Sequence, residues 1–271
     1  MSDAPDARDA RAQVAANPLW YHTLELGPGI VTPGVFDLRP VLGKLPWPDV
    51  EGKRCLDVGT YDGHLAFELE RRGASEVVAT DISDHDRWDW PPAIRERGLE
   101  LLGQAGEKGA GFRIAKELLG SGVERVEINV YDLEPDAIGE FDVVVCGALL
   151  LHLRDPLRAL AAIRSVCRER FLSADQVELG LTLRHRRTPL TRLDGRSDRL
   201  HWWLPNAAAH QQMLLASGFR IERRSGTYSV PFGERHLGPG RSPRALATSL
   251  ARRLATGGDG VPHQALLAVP E

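Results

Sequence analysis

Two carboxylates and two glycines carry the first chemical signal in the chain. Asp57 stands two residues before Gly59, Gly63 follows at the spacing G-x-x-x-G, and Asp81 lies about twenty residues further on, the usual offset to a ribose acid. Glycines at a tight turn let the backbone come close to a ligand. A helix opening behind such a turn offers free N–H groups. An acid closing the next strand is placed to accept hydrogen bonds from both hydroxyls of a ribose. Tyr61 occupies the position where a dinucleotide fingerprint needs its middle glycine, so a pyrophosphate cradle is poorly supported. Asp57 ahead of the turn suits a ligand with a positively charged part instead.

A second group of residues could act on whatever lies there. His152 follows Gly147 by five residues, and an ordinary imidazole pKa of ~6.5 suits a base near neutral pH. It precedes Arg154-Asp155, so it either meets substrate or braces that turn. Tyr21 and His22 lie ahead of the first core strand and either line the site as part of a lid or pack onto the core. Trp88 and Trp90 sit among charges after Asp81, and an indole suits a flat ligand or anchors a loop.

The elements that must position these residues read from their apolar runs. Residues 54–58 form a buried strand that breaks at Gly59, and Leu65, Phe67 and Leu69 give the following stretch a helical face. Residues 76–81 are a second strand, 123–130 a third, 141–146 a fourth and 171–177 a fifth; the fourth is a near-continuous apolar run, the mark of a central parallel strand. Ligands in such sheets bind beyond the carboxyl ends of the strands, which puts Gly147, Ala148 and His152 at the mouth of the site. Asp155 as N-cap and Pro156 at the first position open a helix. Residues 205–217 form another, ended by Gly218. Residues 219–223 and 264–269 read as closing antiparallel strands, with an amphipathic stretch over 244–255 between them. Residues 3–17 have helical propensity up to Pro18, 36–45 read as a short helix, 103–111 as a mobile glycine-rich loop and 112–119 as a short helix.

Composition limits the classes available. With 42% hydrophobic and 26% charged residues the chain is an ordinary globular protein. No apolar run approaches the ~20 residues of a membrane helix, and the first residues carry no secretory pattern. Cys55, Cys146 and Cys167 are read as buried thiols in a reducing cytosol. No metal-ligand spacing is present, and neither are G-x-S-x-G, a phosphate-loop lysine motif or H-E-x-x-H. Net charge is −3, yet residues 151–271 hold 19 basic against 10 acidic side chains. That half contains Arg184, Arg186, Arg187, Arg192, Arg196 and Arg199, which could face an anionic partner. Only 4 of the 34 basic residues are lysines, so compositional bias is the plainer cause.

Leu56-Asp57-Val58-Gly59-Thr60-Tyr61-Asp62-Gly63 with Thr80-Asp81-Ile82 resembles motifs I and II of class I S-adenosylmethionine (SAM) methyltransferases. Phe141 to Gly147 is similar to the fourth-strand motif. Leu150-Leu151-His152-Leu153-Arg154-Asp155-Pro156 and Trp203-Leu204-Pro205-Asn206 resemble the branch typified by tRNA wobble-uridine (carboxy)methyltransferases. The resemblance covers roughly residues 50–224. It departs at Tyr61, in place of the middle glycine, and at Leu151, in place of a tyrosine that the branch's carboxy-SAM enzymes use.

The resemblance implies an α/β, Rossmann-like, seven-stranded, mostly parallel sheet with helices on both faces. Residues 1–49 would form an N-terminal helix and substrate lid, 50–271 the methyltransferase domain, and 178–204 a specificity insertion after the fifth strand. Asp57, Gly59, Thr60, Gly63, Asp81, Ile82, Asp132, Leu133 and Gly147 would hold SAM, with S-adenosylhomocysteine (SAH) as product. Asp132 would take the adenine amino group, or else cap a turn. His152, Tyr21 and His22 are the catalytic candidates, and Tyr21, His22, Trp88, Trp203 and Arg154 the acceptor-binding ones. The tryptophans and the short lid favour a small, aromatic or natural-product-like acceptor. A tRNA is the second, less favoured partner, SAM or carboxy-SAM remain alternatives as donor, and the expected setting is cytoplasmic with no membrane partner. A nicotinamide oxidoreductase or a non-catalytic SAM-binding module are the rival classes.

Overall fold

A computed structural model describes residues 7–103, 106–195, 200–236, 250 and 252–271. Arg196, Arg199 and most of the amphipathic stretch expected over 244–255 lie outside the described residues. Helix α1 (Ala7–Ala16) leads to a small hairpin, β1 (Glu25–Gly27) and β2 (Ile30–Val31). The main sheet is then built by β3 (Arg54–Val58), α2 (His64–Arg71), β4 (Glu76–Asp81), α3 (Arg95–Gly103), α4 (Ala110–Leu119), β5 (Glu124–Glu127), α5 (Pro135–Ile138), β6 (Phe141–Gly147), α6 (Pro156–Val166) and β7 (Cys167–Gln176). After β7 come α7 (Leu179–Arg184), the hairpin of β8 (Thr191–Leu193) and β9 (Trp203–Pro205), α8 (Ala207–Ala216), β10 (Phe219–Arg224), β11 (Tyr228–Val230) and β12 (Val261–Pro270).

The sheet order is β10-β12-β7-β6-β3-β4-β5. Strands β5, β4, β3, β6 and β7 run parallel, and β12 inserts antiparallel between β7 and β10. This is the expected α/β sheet, with one addition. The ten-residue β12 is longer than β10, and its first residues pair instead with the short β11.

Side-chain alternation along the strands divides the core in two. Cys55, Val77, Val143 and Val145 face the cluster with α2, α4 and the N-terminal segment, whereas Leu56, Val58, Val144 and Cys146 face α6 and α8. Both faces are covered, as a parallel sheet requires. Asp155 caps α6 by accepting the amide of Arg158 at 3.0 Å, with Pro156 at the first helical position.

Three expected elements change shape. The stretch over 36–45 is a six-residue 3₁₀ turn, Arg39–Lys44, with Pro40 in its first turn. The third strand stops at Glu127, and the backbone tightens into a 3₁₀ turn at Val130–Asp132 under Asn129, whose side chain accepts the amide of Tyr131. The arginine-rich insertion contains α7 and the β8–β9 hairpin, with Arg184, Arg186, Arg187 and Arg192 exposed.

Candidate functional site

The strand order reverses direction between β3 and β6, and two adjoining cavities open beyond the carboxyl ends of the strands there. The first has a volume of about 370 Å³ and the second about 270 Å³. They share one wall, made of Tyr21, His22, Gly59, Gly147, Ala148 and His152.

The first cavity gathers Asp81, Ile82 and Trp88 with Asn129, Val130 and Tyr131. Asp81 closes β4 and is buried; its Oδ2 accepts the amide of Tyr61 at 2.8 Å, and Oδ1 accepts the amide of Ile82 at 2.8 Å. Tyr61 holds φ at +49°, the left-handed region where glycine is the usual residue. Its amide bond to Asp81 is what the backbone gains from that conformation. Ala148, at the opposite turn, also has positive φ, +50°. Such conformations cluster where a ligand site over-determines the chain.

Lys108 had no sequence signal. Its Nζ lies 2.5 Å from Asp81 Oδ1 and 4.4 Å from the centre of the Trp88 ring, and the side chain is buried. Burial lowers its pKa, and the adjacent Asp81 carboxylate opposes that shift. A lysine between Gly106 and Gly109 reads as part of a solvated loop, and only the tertiary fold brings it back onto Asp81.

The second cavity is roofed by Leu38, Val41, Leu42 and Leu45 and floored by the ends of β7, β11 and β12. Asp57 and Thr60 reach it from the turn after β3. Asp57 is buried, its Oδ2 has no hydrogen-bond partner, and burial pushes its pKa up to about 7.

The shared wall is held by a carboxylate whose part sequence reasoning missed. Asp62 accepts the amides of Tyr21 at 2.6 Å and His22 at 2.9 Å through Oδ2, which ties the N-terminal segment to the turn after β3. Tyr21 packs against Tyr61 with ring centres 4.8 Å apart, and its phenol is pushed up to about 12 by burial, then by Asp175 and Asp62. His22 has its pKa driven down by burial and by neighbouring His64, whose ring is 5.6 Å away.

His152 lies in the 3₁₀ turn Leu150–His152 and faces both cavities. Its Nδ1 bonds the carbonyl of Leu200. A carbonyl only accepts, so Nδ1 carries the proton and Nε2 keeps a lone pair in the neutral ring. Burial pushes the pKa down to about 4. The turn itself is pinned by buried Asp175, which accepts the amide of Leu150 at 2.8 Å.

Five expected site residues line neither cavity. Gly63 starts α2 with φ of +91°, and a Cβ there would come within 2.4 Å of Phe67, so its role is packing. Asp132 is exposed beside Arg158 at 3.9 Å, and Leu133 is buried in the core; the 3₁₀ turn rotates both away and presents Asn129, Val130 and Tyr131 instead. Trp203 donates its indole N–H to the Arg154 carbonyl at 3.0 Å, and Arg154 donates its own amide to Asp89. These two brace the insertion. Among its described residues, Leu200 and His201 reach the cavities.

Cys55, Cys146 and Cys167 are buried and free. Among the described residues no group of three His, Cys, Asp or Glu side chains stands ready to hold a metal ion, and no helix is long and apolar enough to cross a membrane.

The chain is similar to known methyltransferases. The tRNA U34 carboxymethyltransferase of Campylobacter hominis is 29% identical over 120 residues, covering 44% of this chain and 34% of that protein. A ubiquinone biosynthesis O-methyltransferase of Pseudomonas aeruginosa is 25% identical over 166 residues, 60% of this chain and 58% of that one. The chain therefore spans between about a third and three fifths of the length of these curated relatives. The solved N-terminal domain of EvdMO1 with SAH bound is similar in fold over 100% of both chains, with a TM-score of 0.55 at 15% identity. The methyltransferase-domain family itself matches residues 36–223, well over half of the chain, and the protein belongs to that family.

Proposed function

We propose that the protein transfers a methyl group from SAM to a small-molecule acceptor, with the donor in the first cavity and the acceptor in the second. The observation that carries this reading is the shared wall: two ligand-sized cavities meet at Gly59, Gly147 and His152 beyond the reversal of strand order. The residues present fit SAM. Asp81 supplies a carboxylate for the ribose hydroxyls and Trp88 a flat face, whereas Asp57, expected to meet the donor's cationic group, lines the second cavity. When bound, SAM supplies a methyl group already activated by its sulfonium.

The chain's own work is then alignment and exclusion of water, which can provide much of the rate. With SAM bound, its methyl would pass to the acceptor atom as the carbon–sulfur bond breaks, leaving SAH. A proton released by the acceptor goes to Nε2 of His152. Tyr21 and His22 close the wall as the inner edge of a lid formed by residues 1–49. Residues 50–271 form the transferase domain, and the insertion over 178–204 contributes to specificity through Leu200 and His201. The three free buried thiols fit a cytoplasmic setting.

The wobble-uridine reading is second. The described residues lining the acceptor cavity include no lysine or arginine to meet a polynucleotide's phosphates, and buried Leu151 stands where a carboxy-SAM enzyme would have its tyrosine.

Calorimetry with SAH tests the donor site. Asp81→Ala is expected to weaken SAH by more than about 1 kcal/mol, the low side for hydrogen bonds to a charged group. Lys108→Met is expected to tighten it, because Lys108 competes for the same oxygen. Unchanged affinity in Asp81→Ala would remove that residue from the site, and weaker binding in Lys108→Met would make the lysine a ligand contact.

A further inference from the structure

Among the polar groups that line the second cavity, with Asp57, Thr60, Gln176 and His201 beside them, two imidazoles have a fixed tautomer. His152 stands at the wall shared with the first cavity, and His263 stands on β12 in the floor. Each ring has its Nδ1 bonded to a backbone carbonyl, His152 to Leu200 and His263 to Val261, the latter at 2.9 Å. The same logic of tautomers applies to both: Nδ1 holds the proton, and Nε2 is left as a hydrogen-bond acceptor. Burial keeps both rings neutral, with each pKa pushed down to about 4. Tyr228 lies beside His263 with its ring near parallel, centres 6.1 Å apart.

The remaining surface is mostly aliphatic. Asp57 is the one carboxylate among the described lining residues, and no lysine or arginine joins it. An anionic ligand would meet no counter-charge there, and desolvating it without one is costly. Beside Asp57 and Thr60, the two imidazoles of fixed tautomer offer one acceptor each at separate ends of the cavity, which suits a ligand with two donors on an apolar frame.

We propose that the second cavity binds an uncharged ring compound carrying two hydroxyls, one presented to His152 at the shared wall as the methylation position and the other anchored by His263. This rests on the methyl-transfer reading and assigns its acceptor class. A phenolic hydroxyl suits it better than an alkanol, because an imidazole of low basicity takes a proton more readily from the stronger acid. His263 is a positioning residue here, since it holds the end of the acceptor that does not react.

Calorimetric titrations of the full chain saturated with SAH decide the matter. The probes are the isomeric dihydroxynaphthalenes, the two naphthols and a naphthoic acid. At least one dihydroxynaphthalene is expected to bind about fivefold or more tightly than either naphthol, the effect of one extra neutral hydrogen bond, and the naphthoate to bind weakest. His263→Phe should abolish the diol's advantage and leave naphthol affinity in place. A naphthoate as tight as the diols, or diols no tighter than naphthols, overturns the inference; both comparisons use the unmodified protein, so they stand even if the variant misfolds. Lack of SAH binding in the same titrations sinks the methyltransferase reading. Bound SAH without a diol preference sinks only the acceptor class.

Discussion

A single imidazole is held in one working state by its surroundings. His152 has its Nδ1 proton committed to Leu200 and its pKa pushed down to about 4, so Nε2 stays unprotonated throughout the neutral range. His152→Ala is expected to lower turnover ~10²-fold or more, the lower end for general acid–base catalysis, with SAH affinity and melting temperature nearly intact. Because protonation that silences the base falls near pH 4, the unmodified protein should show no loss of kcat/KM attributable to His152 between pH 8 and about 5. An acid limb at pH 6.5 that vanishes in the variant would contradict the low pKa. The position of His152 was legible, because a histidine just past a central strand faces the ligand side of the sheet. Its low pKa was not, since that comes from burial in the assembled fold, which outweighs the opposing hydrogen bond to Leu200. Asp81 was legible for the same kind of reason, and Lys108 escaped because a loop lysine carries no sign of burial.

Among the elements, the segment before the first core strand depends on one carboxylate. Asp62 takes two consecutive amides, those of Tyr21 and His22, and Trp20 just before them is fully buried with its indole donating to Val14. Asp62→Ala is expected to speed hydrogen exchange at the Tyr21 and His22 amides and to weaken acceptor binding, while SAH binding changes little. Exchange that stays at its original rate would mean that core packing alone holds the segment. Strands β3, β4 and β6 were readable as apolar runs, and α6 from its Asp-Pro start. The roof over 36–45 read as a helix because its leucines and valine recur at helical spacing, but its proline and shortness leave only a 3₁₀ turn. The β8–β9 hairpin was not readable, because its polar, arginine-rich strands lack an apolar alternation. Trp203 was misplaced for a related reason. An indole suits a ligand or a carbonyl equally well, and only the fold shows that this one meets Arg154.

Across the whole molecule, buried titratable groups pull stability in opposite directions. His22, His64, His152, His210 and His263 all have pKa values below the ordinary 6.5, chiefly through burial. Their share of stability is complete above pH 6.5 and is lost as pH falls from there, through about 4 for His64, His152 and His263 and about 3 for His210, because only the unfolded chain takes up the protons. Burial pushes Asp57, Asp62 and Asp175 from 3.8 up to about 7. Their share is complete below about 3.8 and is lost as pH rises toward 7. Between about pH 4 and 6.5 the two sets offset one another. Asp57→Asn, which removes one of the carboxyls, is therefore expected to melt higher at pH 7 and to lose more melting temperature between pH 7 and pH 5 than the unmodified protein. Scanning fluorimetry over that range measures both slopes, and equal slopes would show that Asp57 is ionised in the fold.

The wall between the two cavities has a further consequence, for the size of what can cross it. Its two glycines are bare because of what packs behind them: a Cβ at Gly59 would come within 3.0 Å of Leu149, and one at Gly147 within 2.8 Å of Leu65. The doorway is thus framed by two leucines, Leu149 on the side of the first cavity and Leu65 on the side of the second. Recognition of donor and acceptor is one problem for this fold, and the gauge of the passage between them is another. A one-carbon group is the smallest cargo such a doorway could be cut for. Widening it by trimming Leu65 or Leu149 is the route by which this scaffold would come to carry longer alkyl groups, at the cost of one leucine from the lining of one cavity.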